Sequence, residues 1–137
     1  MAVSQLKGNA GGVGIGGPVS IPFSNALNGE DLTGVNDSIT ANAGSTRLTG
    51  TLLEEDKINI VTAVDTAGDS LRLPVINNQK GTQYVIVRNN DAAEACDVFP
   101  HGAADTIDAV GAGLAQSLAI ATTRTYVTVS ATGWKTY

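Results

Sequence analysis

Between Gly68 and Phe99 the chain writes three short runs in succession, Ser70-Leu71-Arg72-Leu73, Tyr84-Val85-Ile86-Val87-Arg88 and Cys96-Asp97-Val98-Phe99, each closed by Pro or Asn. Short β-branched or alternating runs bounded by turn residues specify strands, because segments of this length cannot offset the cost of nucleating a helix. The middle run carries the strongest strand signal. Side chains alternate between the two faces of a strand, so Val85 and Val87 point one way and Tyr84, Ile86 and Arg88 the other. Apolar bulk on both sides predicts a central strand covered on two faces.

The same rhythm extends in both directions. Upstream, Lys57 to Val64 reads as a strand with Ile58, Ile60 and Val64 on one face, and Ser38 to Ala41 and Thr46 to Thr49 as weaker ones. Downstream, Thr106 to Ala109, Leu114 to Ile120, Arg124 to Val129 and Trp134 to Tyr137 are separated by Gly111, Gly113, Thr122-Thr123 and Thr132-Gly133. Leu52 to Lys57 is the only helix-favouring patch, and one helical turn or a polar loop fits it equally well. Turn signals at this regular, roughly 8–12-residue spacing predict an all-β, antiparallel β-sandwich or jelly-roll-like domain over residues 36–137. A chain of 137 residues suits one such domain. Hydrophobic residues make up 42% but aromatic ones only 4%, so the core is expected to be built from Val, Ile, Leu and Ala, with Trp134 closing one end.

Residues 1–35 differ in kind. Eight of the sixteen glycines lie here, and glycine loses the most backbone entropy on ordering, so this segment is expected to be an extended Gly-rich N-terminal arm without its own core. Val13, Ile15, Val19, Ile21 and Phe23 recur at odd positions, and an extended chain places all five on one face. That stripe is expected to dock on a neighbouring subunit. Gly12-Val13-Gly14-Ile15-Gly16-Gly17 satisfies the spacing of a dinucleotide fingerprint but lacks the preceding strand and following helix that the motif requires, and Pro18 and Pro22 follow it. The first residues lack the charged start and continuous apolar run of a signal peptide, so the expectation is a soluble, non-exported chain.

The chemical inventory is thin. A net charge of −5 opposes nucleic-acid binding, which rests on clustered Lys and Arg, and no apolar run is long enough to span a membrane. The single cysteine, Cys96, cannot form an internal disulfide and reads as a buried thiol rather than the partner of His101, the single histidine. His101 with Asp97 or Asp105 is a weak metal candidate, and Asp108 lies nearby. Glu54-Glu55-Asp56 reads as solvated acids rather than a general acid and base. Asp65, Asp69, Asn89, Asn90 and Asp91 sit in turns and suit either calcium ligation or the ordinary turn-forming role of these side chains. No catalytic residue, cofactor or metal site is therefore expected. Asn36-Asp37-Ser38 matches a glycosylation acceptor only as a pattern.

The succession Gly68-Asp69-Ser70-Leu71-Arg72-Leu73-Pro74, Tyr84-Val85-Ile86-Val87-Arg88-Asn89-Asn90, Asp97-Val98-Phe99-Pro100, Asp105-Thr106-Ile107-Asp108-Ala109 and Gly133-Trp134-Lys135 resembles a β module of tailed-phage virion proteins, capsid decoration (cement) proteins and fibre subunits among them. The resemblance covers residues 65–137. It implies a non-enzymatic, usually trimeric protein on the outer surface of the capsid, partnered with the major capsid protein. On that reading the arm residues Val13, Ile15, Val19, Ile21 and Phe23 are the capsid-docking set. The alternatives are a head-fibre or tail-fibre subunit whose β domain recognises a host-surface glycan, and a phage enzyme such as a depolymerase fragment. The shortage of aromatic residues, which glycan sites use as stacking faces, favours the cement role.

Overall fold

The computed structural model describes residues 34–137. Ten strands form, and there is no helix among the described residues: β1 Gly34–Thr40, β2 Thr51–Leu52, β3 Lys57–Ala63, β4 Ser70–Arg72, β5 Tyr84–Asn89, β6 Cys96–Phe99, β7 Thr106–Ile107, β8 Gln116–Leu118, β9 Thr123–Ser130 and β10 Gly133–Thr136. The chain alternates between two sheets as it advances. β1, β3 and β5 stack in parallel in one sheet, and β2, β4 and β6 stack in parallel in the other. Over these six strands each odd–even pair is thus one coil of a β-solenoid. The first sheet has the order β1-β3-β5-β9-β10-β7 and the second β2-β4-β6-β8.

The all-β expectation stands, but the antiparallel sandwich or jelly roll does not describe the first six strands. Apart from an isolated antiparallel bridge between Asn42 and Ser70, antiparallel pairing lies in the C-terminal portion, where β9 lies against β5, β10 against β9, and β8 against β6. The physical reason is in the connections. A turn that closes a hairpin and a turn that carries the chain around a corner to the opposite sheet use the same residue types, so turn spacing alone does not separate them.

The core lies between the sheets. Val61, Val85, Val87, Tyr126 and Trp134 contribute from the first, and Leu71, Cys96, Val98 and Leu118 from the second, all essentially inaccessible to solvent. Fully burying an aliphatic side chain of this size stabilises the fold by about 1.5–3 kcal/mol. Trp134 is buried as expected, and the C-terminal strand is tied in by reciprocal hydrogen bonds between Thr125 and Tyr137 at 2.9 and 3.0 Å.

Three local expectations are corrected. In β3 the buried face is Asn59 and Val61, while Ile58 and Ile60 point outward and are only partly covered. In β5, Val85 and Val87 are buried but Tyr84 remains 46% exposed, so this strand is central in its sheet yet covered by core on one face only. The reason is shared: no second layer lies over the outer face of the first sheet among the described residues. Thr46 to Thr49 forms a turn rather than a strand, and the patch from Leu52 to Lys57 ends β2 and turns, with Asp56 at a φ of 60°.

Asn59 is the fully buried polar residue that ties the coils together. Its Oδ1 accepts from the Glu54 backbone N–H at 3.0 Å and from Asn36 Nδ2 of β1 at 3.3 Å. Its Nδ2 donates to the Glu54 carbonyl at 2.8 Å and to the Ile86 carbonyl of β5 at 3.2 Å. One carboxamide therefore binds the coils before and after its own. Leaving buried partners unpaired costs about 1–3 kcal/mol for each group. Asn59→Ala should lower unfolding stability in urea by about 2–3 kcal/mol, whereas Asn36→Ala, which loses one longer bond, should cost about 1 kcal/mol or less. Equal effects would show that the carboxamide does not bridge coils.

Candidate functional site

The acidic and amide residues singled out from the sequence are held by the turns that connect the coils, and their oxygens face backbone amides. Asp69, buried at the β3–β4 corner, accepts from Gly44 N–H at 2.9 Å through Oδ1 and from Asp65 and Thr66 N–H at 3.1 and 3.0 Å through Oδ2. Gly68, at a φ of +92°, supplies the left-handed backbone that lets Asp69 turn inward. At the β5–β6 corner, Asp91 accepts from Ala93 and Glu94 N–H through Oδ1 and from Val64 N–H through Oδ2. These amides hold the Asp91 carboxyl below the usual carboxylate range, Ala93 and Glu94 first and Val64 next. Asn89 accepts from Asp91 N–H and donates to the carbonyls of Glu94 and Leu118.

Asp65, Asp69, Asn89 and Asp91 therefore do not converge on a common point. Asp69 and Asp91 each close a different corner, and no group of three or more His, Cys, Asp or Glu side chains is arranged to hold a metal ion among the described residues. Asp105 likewise closes its own turn through Gly102 N–H at 2.8 Å, and Asp97 accepts from Ser45 Oγ at 2.6 Å.

Cys96 and His101 are set apart in chemistry. The Cys96 thiol is inaccessible, with the Leu118 carbonyl 4.0 Å from its sulfur, and burial first and the Asp97 charge second push its pKa up to about 11. A thiol in that state is protonated at neutral pH and is not a nucleophile. His101 lies in the turn after β6, where its carbonyl accepts from Arg47 Nη1 at 2.7 Å. Partial burial, followed by the Arg72 charge, lowers its imidazole pKa, with Arg47 adding to the effect and Asp105 opposing it. The acids at 54–56 also have structural partners: Lys57 pairs with Glu54 at 2.8 Å, and Glu55 accepts from Lys80 and from the buried Gln83 at 3.1 Å.

Asp108, a neighbour of His101 in sequence and part of the Asp105–Ala109 segment, has no role assigned from the sequence and proves to be the most heavily bonded carboxylate of the C-terminal portion. It sits after β7 at a φ of 51° and accepts from the Thr136 N–H at 2.9 Å, the Thr136 hydroxyl, Gln116 Nε2 at 2.9 Å and Lys135 Nζ at 3.4 Å. Burial alone raises its pKa, but the bonds from Thr136, Gln116 and Lys135 outweigh it and hold the carboxyl well below the usual range.

The two outer faces of the solenoid are unlike. The face of the second sheet is crossed by residues 42–50: Asn42 bridges Ser70, Ser45 bonds Asp97, and Arg72 Nη1 reaches the Leu48 carbonyl at 3.5 Å. The face of the first sheet carries no such cover among the described residues. Val35, Ile58 and Ile86 share one rung, continued by Thr125 and Tyr137. To one side of it lie Tyr84, Val127 and Lys135, and to the other Ile60, Arg88 and Thr123. Val35 is 53% exposed and Tyr137 76%. Arg88 is spread along the surface, its Nη1 donating to the Ala121 carbonyl and to Thr123 Oγ1, both at 3.2 Å. Beyond the end of this face, Ile76, Asn78, Gly81, Thr82, Thr128, Val129, Ser130 and Ala131 line an open cleft of about 290 Å³ that holds no aromatic side chain.

The arm residues Val13, Ile15, Val19, Ile21 and Phe23 lie outside the described residues. Comparison of the chain with protein-family models, with curated proteins and with solved structures finds no match.

Because folding lowers the Asp108 pKa, its carboxylate stabilises the fold above its unfolded pKa of about 3.9, and that contribution is lost as pH falls through the folded value. Thermal unfolding of the wild-type chain should therefore shift to lower temperature on acidification below about pH 4. Asp108→Asn should melt lower at neutral pH and depend less on pH across the same acid range. A variant whose melting temperature runs parallel to the wild type at every pH would contradict this assignment.

Proposed function

We propose that the chain is a structural virion protein of the capsid decoration, or cement, type, which binds the outer surface of a phage head and stabilises contacts between major capsid proteins. The observation that supports this reading is how the residues carrying the resemblance are used. They build β4, β5, β6, β7 and β10 around one core, and their carboxylates and amides hydrogen-bond to the turns that join those strands. A scaffold whose corners are stapled by Asp69, Asp91 and Asp105 suits a mechanical task, since a protein that binds the closed shell and not the opened one adds its binding energy to the barrier against opening.

The glycan-binding fibre reading draws less support. The open cleft has no aromatic face on which a sugar ring would stack, and Trp134 is in the core.

In the cement reading, the arm contributes most of the attachment. An extended segment that adds to a sheet edge gains backbone hydrogen bonds, and the alternating Val13, Ile15, Val19, Ile21 and Phe23 would fill pockets on the shell. Cosedimentation of purified protein with undecorated heads tests it. The full chain should saturate the shells, and deletion of residues 1–24 should leave a folded β protein that no longer binds. Unchanged affinity of the truncated chain would overturn the role of the arm, and no binding by the full chain would overturn the cement role itself.

A further inference from the structure

We propose that Arg47, Arg72 and His101 form a binding site for a tetrahedral oxyanion of the sulfate or phosphate kind, on the outer side of the second sheet where residues 42–50 cross it. The site goes beyond the cement reading and does not depend on it.

The backbone brings the three residues together from separate parts of the chain. Arg72 lies in β4 between Leu71 and Leu73, both in the core, so its side chain stands on the outer face, in one rung with Leu52 of β2 and Phe99 of β6. Arg47 belongs to the crossing segment, and its Nη1 donates to the His101 carbonyl at 2.7 Å, two residues beyond Phe99. Arg72 Nη1 donates to the carbonyl of Leu48, the residue after Arg47, at 3.5 Å. Burial first, and then the charges of Arg72 and Arg47, lower the His101 pKa, with Asp105 opposing them, so both cations act on the imidazole.

The local charge is unbalanced. Neither Arg47 nor Arg72 pairs with a carboxylate among the described residues. With thirteen acidic residues to eight basic ones, the chain has no shortage of acids to place there. The nearest are turned to other partners: Asp105 accepts from Gly102 N–H at 2.8 Å, and Asp97 from Ser45 Oγ at 2.6 Å.

The two arginines are also held where they are. Asn42 and Ser70 exchange backbone hydrogen bonds at 2.7 and 3.0 Å, and Gly44 N–H is bound by Asp69. At the other end of the segment Gly50 is pressed so close to β4 that a Cβ there would come within 3.0 Å of the Leu71 backbone. Backbone movement therefore does not relieve the repulsion between the guanidinium groups, and an anion does.

The donors suit that anion. A guanidinium carries five N–H groups in a fork that matches the oxygens of sulfate and phosphate. Arg72 is weakly held, since its bond to Leu48 is long and its buried Nε has no hydrogen-bond partner. Turning its head toward an oxyanion forfeits little. Arg47, Arg72 and His101 are all half-buried, which strengthens such charge-assisted bonds, and a protonated His101 adds a third donor. A bound anion would join the crossing segment to β4 and to the turn after β6.

Nuclear magnetic resonance of His101, the one histidine, reads the site in the full-length chain. Sulfate, whose charge is constant over the range in which an imidazole titrates, is added at an ionic strength fixed with sodium chloride. It should shift the His101 ring signals along a saturable curve and raise the pH at which they titrate, because a bound dianion favours the imidazolium. Phosphate should move the same signals. Arg72→Gln and Arg47→Gln should each weaken sulfate binding about tenfold or more while retaining the β spectrum. Arg88→Gln, which removes the same charge from β5, should leave binding unchanged. The proposal is overturned if sulfate moves the His101 signals no more than chloride does, if the response does not saturate, or if either folded arginine variant, Arg72→Gln or Arg47→Gln, binds sulfate as tightly as the wild type.

Discussion

The carboxamide of Asn59 is the contact on which the stacking of coils depends. A buried amide is tolerated only when its donors and acceptors are matched, and here each bond reaches a different level of the solenoid: Asn36 in the coil before, the Glu54 corner in its own, and the Ile86 carbonyl in the coil after. Parallel strands cannot be joined by hairpins, so their register is set by the corners and by contacts within the stack. Asn59 supplies the latter. Asp69, Asn89, Asp91 and Asp105 supply the former by satisfying the backbone amides that a sharp corner leaves unpaired.

This division of labour explains why a chain with few aromatic residues holds a defined shape. Burial of Val, Leu and Ile between the sheets drives collapse without specifying direction, and polar side chains at the corners specify it. The same arrangement leaves the acidic residues chemically quiet, since each oxygen engaged by a backbone amide is less available to a substrate or an ion. Among the described residues, the aliphatic side chains that the core does not use lie on the outer face of the first sheet, Val35, Ile58 and Ile86 in one rung.

Much of the strand content was legible in the sequence and the topology was not. Tyr84 to Asn89, Cys96 to Phe99 and Lys57 to Ala63 announce themselves by β-branched runs between turn residues, and each is a strand. Their parallel stacking is hidden because the coils differ in length: Asn36 precedes its rung partner Asn59 by 23 residues, while the next rung joins Val61 to Asn89 across a longer connection. Unequal coils leave no fixed period to detect. The buried face of β3 is hard to read from the sequence for a related reason. Ile58 and Ile60 look like core by hydrophobicity, but Asn59 occupies the inside, where its carboxamide is matched by the Glu54 N–H and by the Glu54 and Ile86 carbonyls. An alternating pattern in which one polar residue recurs opposite another polar residue, Asn36 against Asn59, was the signal that would have revealed the ladder.

Amide hydrogen exchange, resolved residue by residue, tests the account most directly at Glu54. This residue lies in the connection between β2 and β3, where an ordinary loop amide exchanges freely. With its N–H held by the buried Asn59 Oδ1, it should exchange as slowly as the amides of β3 and β5, and Asn59→Ala should release it. A Glu54 amide that exchanges at the rate of an exposed loop in the wild-type protein would contradict the claim that one carboxamide joins the coils.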